Sequence, residues 1–202
     1  MSNHDFNEIA INEHAKLKGK IQVLPKAEAK NDQDLSIYYT PGVGAVSKLL
    51  ADQPDRAKEF TIKSDMIAII SDGSAVLGLG NIGPEGALPV MEGKAMLMRE
   101  LAGINAFPLC LDTQDTDEII ATIKNVAPVF AGINLEDIAA PKCFEIEKRL
   151  HESLDIPVIH DDQHATAIAV VAGLINALKV VGKQKGDCRV VIIGAEIGRA
   201  HV

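Results

Sequence analysis

The sequence has 202 residues, of which 47% are hydrophobic and only 3% are aromatic, and its formal net charge is −8. A chain of this length can bury one full core, or one domain and part of a second, and that core must be aliphatic. The acidic balance argues against nucleic acid as a partner, because phosphate binding needs a basic surface.

After a polar N-terminal region, helices and strands alternate along the chain. The hydrophobic pattern, with its Pro and Gly signals, predicts helices over residues 10–19, 43–51, 89–101, 116–126, 141–154 and 165–181. It predicts strands over residues 66–70, 75–77, 106–111, 129–133, 157–159 and 189–193. Such alternation is typical of βαβ units, so we predict an α/β fold with a largely parallel sheet.

Cysteine usage and apolar segments bear on the compartment. The three cysteines, Cys110, Cys143 and Cys188, are irregularly spaced, which fits neither a disulfide framework nor a zinc site. The first residues are polar and do not resemble a signal peptide. On the sequence alone, no apolar run approaches the roughly 18 residues that a membrane span needs. We therefore expect a cytoplasmic protein with no membrane partner.

Acidic residues follow four of the predicted strands: Asp72, Asp112, the pair Glu136-Asp137 and the pair Asp161-Asp162. The carboxyl ends of parallel strands share one edge of a sheet, where ligands bind. Clustered like charges repel unless a cation neutralises them, and oxygen ligands suit Mg²⁺ or Mn²⁺. For the first two acids we favour a role in turns or helix caps. For the two pairs, a metal site and a capping role both stay open.

Four further side chains are candidates for chemistry. His160 and His164 are four residues apart, but the first is predicted in a strand, so a supporting polar role is favoured over zinc binding. Lys94 lies within a predicted helix, where most lysines are solvated; burial would lower its pKa and allow it to act as a base. Tyr39, beside Pro41, is either a packing residue or a proton donor.

Two glycine-rich segments differ in their predicted roles. Residues 78–83 match the dinucleotide pattern G-x-G-x-x-G, but Pro84 follows where a cofactor-binding helix should run, so we interpret the segment as a structural turn near the substrate site. The strand 189–193 opens into Gly194, as a Rossmann fingerprint begins. Residues 196–202 depart from that fingerprint. These residues can be encoded by a nucleotide sequence that resembles a common sequencing adapter. We therefore expect this end of the sequence to be an artefact and not part of the protein.

Five ordered motifs carry a family resemblance: residues 39–43, 71–83, 89–94, 134–138 and 160–164. From about Lys18 to Ala195 the chain resembles the malic enzyme family, specifically its smaller bacterial form. The resemblance implies that Tyr39 is the general acid, that Lys94 is the general base and that Asp161 lies close to Lys94. It implies three ligands of Mg²⁺ or Mn²⁺: Glu136, Asp137 and Asp162.

The same resemblance implies oxidative decarboxylation of malate to pyruvate with NAD or NADP, and a homodimer or larger homo-oligomer. Residues 1–162 would form the substrate and metal domain. Residues 163–202 would begin an incomplete Rossmann domain, with Gly194 and Ala195 at the start of the cofactor loop. We expect the chain as given not to oxidise malate.

Two departures and two alternatives accompany this interpretation. Ala75 stands where the larger eukaryotic form has arginine, and Ala165 stands where the family usually has glycine. The alternatives are a malolactic or oxaloacetate decarboxylase-type relative that uses the same site, and an inert fragment that dimerises.

Overall fold

One parallel sheet of four short strands carries the acidic residues at its edge. The computed structural model describes residues 3–76 and 78–191. The strands are β1 (Met66–Ser71), β2 (Asn105–Cys110), β3 (Gly132–Leu135) and β4 (Val158–His160). Their order in the sheet is β2-β1-β3-β4, and every pairing is parallel. The predicted α/β fold with a parallel sheet is confirmed.

Eight α-helices surround this sheet or precede it in the described chain. They are α1 (Asn3–Leu17), α2 (Asp32–Tyr38), α3 (Val43–Asp52), α4 (Ala57–Phe60), α5 (Gly83–Ala102), α6 (Thr116–Val126), α7 (Lys142–Ser153) and α8 (Thr166–Val181). The bounds of α6 are those predicted, because the Asp115 side chain accepts a hydrogen bond from the Glu118 N–H and so caps the helix start. Helix α5 was predicted to begin at Pro89 but begins six residues earlier, because Pro84 occupies its first turn.

Both faces of the sheet are covered by helices with aliphatic side chains. On one face, residues of α6 and α7 such as Ile123 and Ile146 pack against Ile70 of β1. On the other face, Ile69 packs against Met91 and Ala95 of α5. Successive strand residues point to opposite faces, so β1 contributes to both layers of the core. The core is aliphatic, as the composition predicts.

The predicted strand over residues 75–77 is not part of the sheet. Val76 forms an isolated antiparallel bridge with Gly80, and Leu77 lies outside the described residues. The segment turns back on itself, and the carbonyl oxygen of Gly73 accepts hydrogen bonds from the N–H groups of Ile82 and Gly83. A short apolar run becomes a strand only if another strand pairs with it, and here the chain reverses first. The glycine-rich segment therefore forms a structural turn, as predicted.

The C-terminal part of the described chain is long, apolar and exposed. Helix α8 has no buried residue, and its first turn is preceded by a π-helical turn over Asp161–Ala165. Together they form a 21-residue helical segment that contains an 18-residue window of mean hydropathy 1.7, so by length and composition it could cross a membrane. The sequence-based statement that the chain has no such segment is wrong. Length and composition are shared by membrane spans and by core helices of soluble proteins.

The predicted strand over residues 189–193 is not formed within the described chain. Arg189, Val190 and Val191 are not assigned to a strand, and residues 192 and 193 lie outside the described residues. None of the four described strands pairs with residues 189–191.

A glycine substitution tests the close contact within the turn after β1. Gly73 has φ +66°, and a Cβ there would lie 2.1 Å from the carbonyl oxygen of Gly83. We expect Gly73→Ala to lower the free energy of unfolding by about 3 kcal/mol, since backbone strain and a steric clash act together. Gly103→Ala is the control, because Gly103 has φ +69° but open space around it, and should cost about 1 kcal/mol. Urea unfolding followed by circular dichroism measures both. Equal midpoints for the two variants would contradict the clash.

Candidate active site

The register of the sheet brings distant acidic residues together at its carboxyl edge. Leu135 of β3 pairs with His160 of β4, so the next residues, Glu136 and Asp161, emerge side by side. Leu135 also pairs with Ile70 of β1, which places the turn after β1 on the other side of Glu136. The acidic pairs after β3 and β4 therefore lie at the carboxyl edge of the sheet, as the sequence predicted. Strand pairing brings them together there.

Three carboxylates form a tight cluster there. Oxygens of Glu136, Asp161 and Asp162 lie within 4.8 Å of one another, and Glu136 is buried. Asp137 contributes its backbone N–H, which donates to Asp162 Oδ2 at 3.0 Å. The structure thus brings the predicted ligands Glu136 and Asp162 together and adds Asp161 to them. That the Asp137 carboxylate is itself a ligand stays a prediction.

Lys94 of α5 lies against this cluster. Its Nζ is 2.7 Å from Asp161 Oδ2 and 3.1 Å from Glu136 Oε1, and its side chain is only 24% exposed. The contact follows from core packing, because Met91 and Ala95 on the same helix are buried against the sheet and fix the helix rotation. Lys94 is therefore not a solvated surface lysine.

The charges in the cluster shift pKa values in defined directions. Burial raises the pKa of Glu136 to about 7; the charge of Lys94 opposes this rise, and the charge of Asp161 adds to it. Burial lowers the pKa of Lys94, but the hydrogen bond to Asp161 and the charge of Glu136 outweigh it, so the net pKa is raised. This direction is opposite to the fall expected from burial alone, because neighbouring carboxylates favour the ammonium.

Three carboxylates face a single ammonium, so the cluster carries an excess of negative charge. Carboxylate oxygens at this spacing match the ligands of a hard divalent cation such as Mg²⁺ or Mn²⁺. A cation would also offset the repulsion between Glu136, Asp161 and Asp162. The donor set of the described residues therefore fits the predicted metal.

The other two acids that follow strands, Asp72 and Asp112, lie outside the carboxylate cluster. Asp72 is buried; its Oδ2 lies 2.5 Å from Lys142 Nζ, and its Oδ1 accepts hydrogen bonds from the N–H and hydroxyl of Ser74. The Ser74 Oγ in turn accepts from the Ala139 N–H at 2.9 Å. Asp112 is exposed at the end of β2. The turn role favoured for Asp72 is confirmed, and it ties the glycine turn to the loop after Glu136.

The two histidines are in different environments. His160 is fully buried at the end of β4, and burial lowers its pKa more than the charge of Asp162 raises it. His164 is exposed, and its Nδ1 lies 2.6 Å from Glu147 Oε2. The sequence analysis missed Glu147. An acid on the same helical face as Cys143, Ile146 and Leu150 was the signal that could have identified it.

Among the predicted site residues, Tyr39 is described without a contact to this cluster, and two others lie outside the described residues. Tyr39 follows α2 and is 70% exposed, with no side-chain hydrogen bond among residues 3–76 and 78–191. Its role as general acid stays a prediction. Gly194 and Ala195 lie outside the described residues, so the predicted cofactor contacts also stay predictions.

Comparison with known proteins gives consistent matches over most of the chain. The family model for the N-terminal domain of malic enzyme matches residues 18–151. The chain is 59% identical over 184 residues to the NAD-dependent malic enzyme of Geobacillus stearothermophilus, which covers 91% of this chain and 38% of that relative. It is 52% identical over 190 residues to the bifunctional malic/malolactic enzyme of Bacillus subtilis (strain 168), covering 94% and 46% respectively.

The fold agrees with this match. The crystal structure of malic enzyme from Pyrococcus horikoshii Ot3 superposes with a TM-score of 0.86 at 48% identity, and the match covers 94% of this chain and 46% of that one. The chain therefore spans less than half the length of each of these relatives.

The buried ion pair between Asp72 and Lys142 makes a stability test that is separate from the cluster. We expect Lys142→Met to lower the free energy of unfolding by about 2 kcal/mol, because it leaves a buried carboxylate without its cation. Lys148→Met on the same helix is the control, since that ammonium is 75% exposed and 4.0 Å from Glu152, and its effect should stay below about 0.5 kcal/mol. Thermal unfolding of both variants measures the difference. A Lys142→Met protein as stable as the control variant would show that the pair contributes nothing.

Proposed function

Because the chain belongs to the malic enzyme family, we propose that it forms the substrate- and metal-binding part of an enzyme that converts malate to pyruvate and CO₂ with NAD or NADP. The observation that carries the proposal is the Lys94 ammonium, held between Asp161 and Glu136 at the carboxyl edge of a parallel sheet. The activity is a proposal for the whole protein, since the chain spans less than half of its relatives' length.

The proposed metal site uses the carboxylates of Glu136 and Asp162, with Asp137 as the third predicted ligand. When bound, a divalent cation supplies Lewis acidity to the oxygens of the substrate and stabilises the negative charge left as CO₂ departs. Asp162 is oriented for this by the Asp137 N–H, which donates to its Oδ2. Asp161 contacts Lys94 and orients its ammonium group.

Lys94 is the group proposed to move a proton at the C2 hydroxyl of malate. Asp161 and Glu136 fix the position of its Nζ, which reduces the entropy lost on reaching a reactive geometry. Its raised pKa means that the ammonium has to lose a proton before Lys94 acts as a base. Hydride acceptance belongs to the nicotinamide cofactor. Tyr39 remains the proposed donor of a proton to C3.

A second function uses the same site without net reduction of the cofactor. The relative from Bacillus subtilis is a bifunctional malic/malolactic enzyme, and malolactic chemistry would give lactate instead of pyruvate. Absorbance at 340 nm with malate present separates the two, because only the oxidative reaction accumulates reduced cofactor.

We propose a cytoplasmic homo-oligomer, with residues 163–202 as the start of a cofactor domain. Large apolar side chains are exposed on the N-terminal helices, among them Ile11, Leu17, Leu35 and Ile37, as expected of a surface between subunits. Helix α8 continues from the turn that carries Asp161 and Asp162. We therefore propose that its apolar surface is covered by protein and not by lipid.

Metal binding by the 202-residue chain is the first test. We expect Glu136→Gln to weaken Mn²⁺ binding at least about tenfold, because it removes a charged ligand from the cluster. Asp112→Asn is the matched control, since Asp112 is an exposed strand-end acid outside the cluster, and it should bind as the unaltered chain does. Electron paramagnetic resonance of free Mn²⁺ measures both affinities. Unchanged affinity in Glu136→Gln would rule out the proposed ligand.

Turnover is the second test. It requires the C-terminal part that the longer relatives have in addition to the matched region. Residues 1–189 joined to the corresponding C-terminal part of the Geobacillus stearothermophilus enzyme would supply it. We expect Lys94→Ala to lower kcat for malate by about 10²- to 10⁴-fold with a smaller change in KM, as for loss of a general base. Lys148→Ala serves as the control. Assays with NAD and with NADP follow absorbance at 340 nm. Near-normal turnover of Lys94→Ala would contradict the assignment.

A further inference from the structure

A single buried carboxylate holds both ends of the turn that carries Asp161 and Asp162. Glu147 lies on the buried face of α7. Its Oε1 accepts a hydrogen bond from the backbone N–H of His160, at 2.9 Å, just before the turn. Its Oε2 lies 2.6 Å from Nδ1 of His164, near the end of the turn.

This contact explains why an acid occupies a position that suits an apolar residue. The neighbours of Glu147 on the same helical face, Cys143, Ile146 and Leu150, are all fully buried in the core. Burying a carboxylate is costly unless it accepts hydrogen bonds. The partners of its two oxygens are His160, just before the turn, and His164, within it. The carboxylate therefore binds the turn at both ends.

The turn depends on support from outside itself. Asp161–Ala165 is a π-helical turn, a wide geometry that is rare and found mostly as single turns at functional sites. The His160 ring does not provide that support. Neither of its nitrogens has a hydrogen-bond partner in the described chain, and its Nδ1 is 3.9 Å from Asp162 Oδ2, too far for a hydrogen bond.

Helix α7 makes a second contact with the end of the turn. The ring of Phe144, one helical turn before Glu147, meets the His164 ring edge to face, with centroids 6.5 Å apart. His164 is thus held on one side by a carboxylate and on another by an aromatic ring, and α7 provides both.

We propose that Glu147 is a positioning residue, which fixes the Asp161–Ala165 turn so that Asp161 and Asp162 face Glu136 and thereby sets the affinity of the cluster for a divalent cation. The identity of the ligand rests on the proposed function, whereas the fixing of the turn does not. Residues that orient metal ligands without touching the metal typically change affinity by about 10- to 100-fold when they are replaced.

The test uses the 202-residue chain with Mn²⁺ as the probe. Glu147→Ala should weaken Mn²⁺ binding about 10- to 100-fold, and amide hydrogen exchange over residues 160–165 should become faster without metal. Glu147→Gln should stay within about threefold of the unaltered chain, because a glutamine oxygen still accepts from the His160 N–H and its amide can donate to neutral His164. Glu145→Ala is the control, since Glu145 is exposed on the same helix and, within the described chain, forms an ion pair with Arg149 and not with the turn.

Each outcome decides the proposal. Unchanged Mn²⁺ affinity in Glu147→Ala, or equal losses in the alanine and glutamine variants, would overturn it. If Glu147→Ala does not fold, His164→Ala replaces it, because that exposed side chain can be removed without opening the core; unchanged affinity and exchange would then overturn the proposal. If the unaltered chain binds no Mn²⁺, the proposed metal site fails. Hydrogen exchange then decides alone, and equal exchange in Glu147→Ala and the unaltered chain would refute the positioning role.

Discussion

Three carboxylates are held close together at one edge of the sheet, and the repulsion between them has to be offset. Glu136, Asp161 and Asp162 lie within 4.8 Å of one another because parallel strands end together. Such an arrangement costs free energy unless a positive charge is supplied or one carboxylate takes up a proton. Lys94 supplies part of it, and its position depends on the packing of α5 against β1 through Met91. Core packing and site chemistry are therefore coupled through one helix.

Helix α7 supports two separate parts of this edge. At its start, Lys142 pairs with Asp72, whose Oδ1 accepts a hydrogen bond from the Ser74 hydroxyl. The Ser74 Oγ accepts a hydrogen bond from the N–H of Ala139, just before the helix. In its middle, Glu147 contacts the segment that carries Asp161 and Asp162. In both contacts the carboxylate of Asp72 or Glu147 is buried, and removal of the partner of a buried carboxylate costs more than at the surface. The helix that covers the sheet thus also fixes the loops that carry the site.

The described chain has a well-packed core and one apolar helix that is exposed. Helices cover both faces of the sheet, whereas α8 has no buried residue and carries exposed apolar side chains along its length. Relatives of this chain are more than twice as long. An apolar helix of this kind is stable in water only when other protein covers it, so its exposure agrees with a role at a boundary between domains.

Features that depend on local pattern follow from the amino-acid sequence. Alternating helical and strand periodicity predicted the parallel sheet, the Asp115 cap set the start of α6, and acids after strands predicted an acidic sheet edge. The family resemblance implied that Glu136 and Asp162 lie together at that edge, as they do. The family resemblance also placed Asp161 close to Lys94, and the 2.7 Å contact agrees. Only the tertiary structure decided the partner of Asp72, because Lys142 lies 70 residues away and no local pattern indicates their contact. The raised pKa of Lys94 likewise depends on the carboxylates that the fold brings to it. The prediction of a strand over residues 75–77 was wrong because no strand of the described sheet pairs with this segment. Local propensity fixes the conformation of a segment, whereas charge pairing and strand pairing depend on which distant segments the fold brings within a few ångströms.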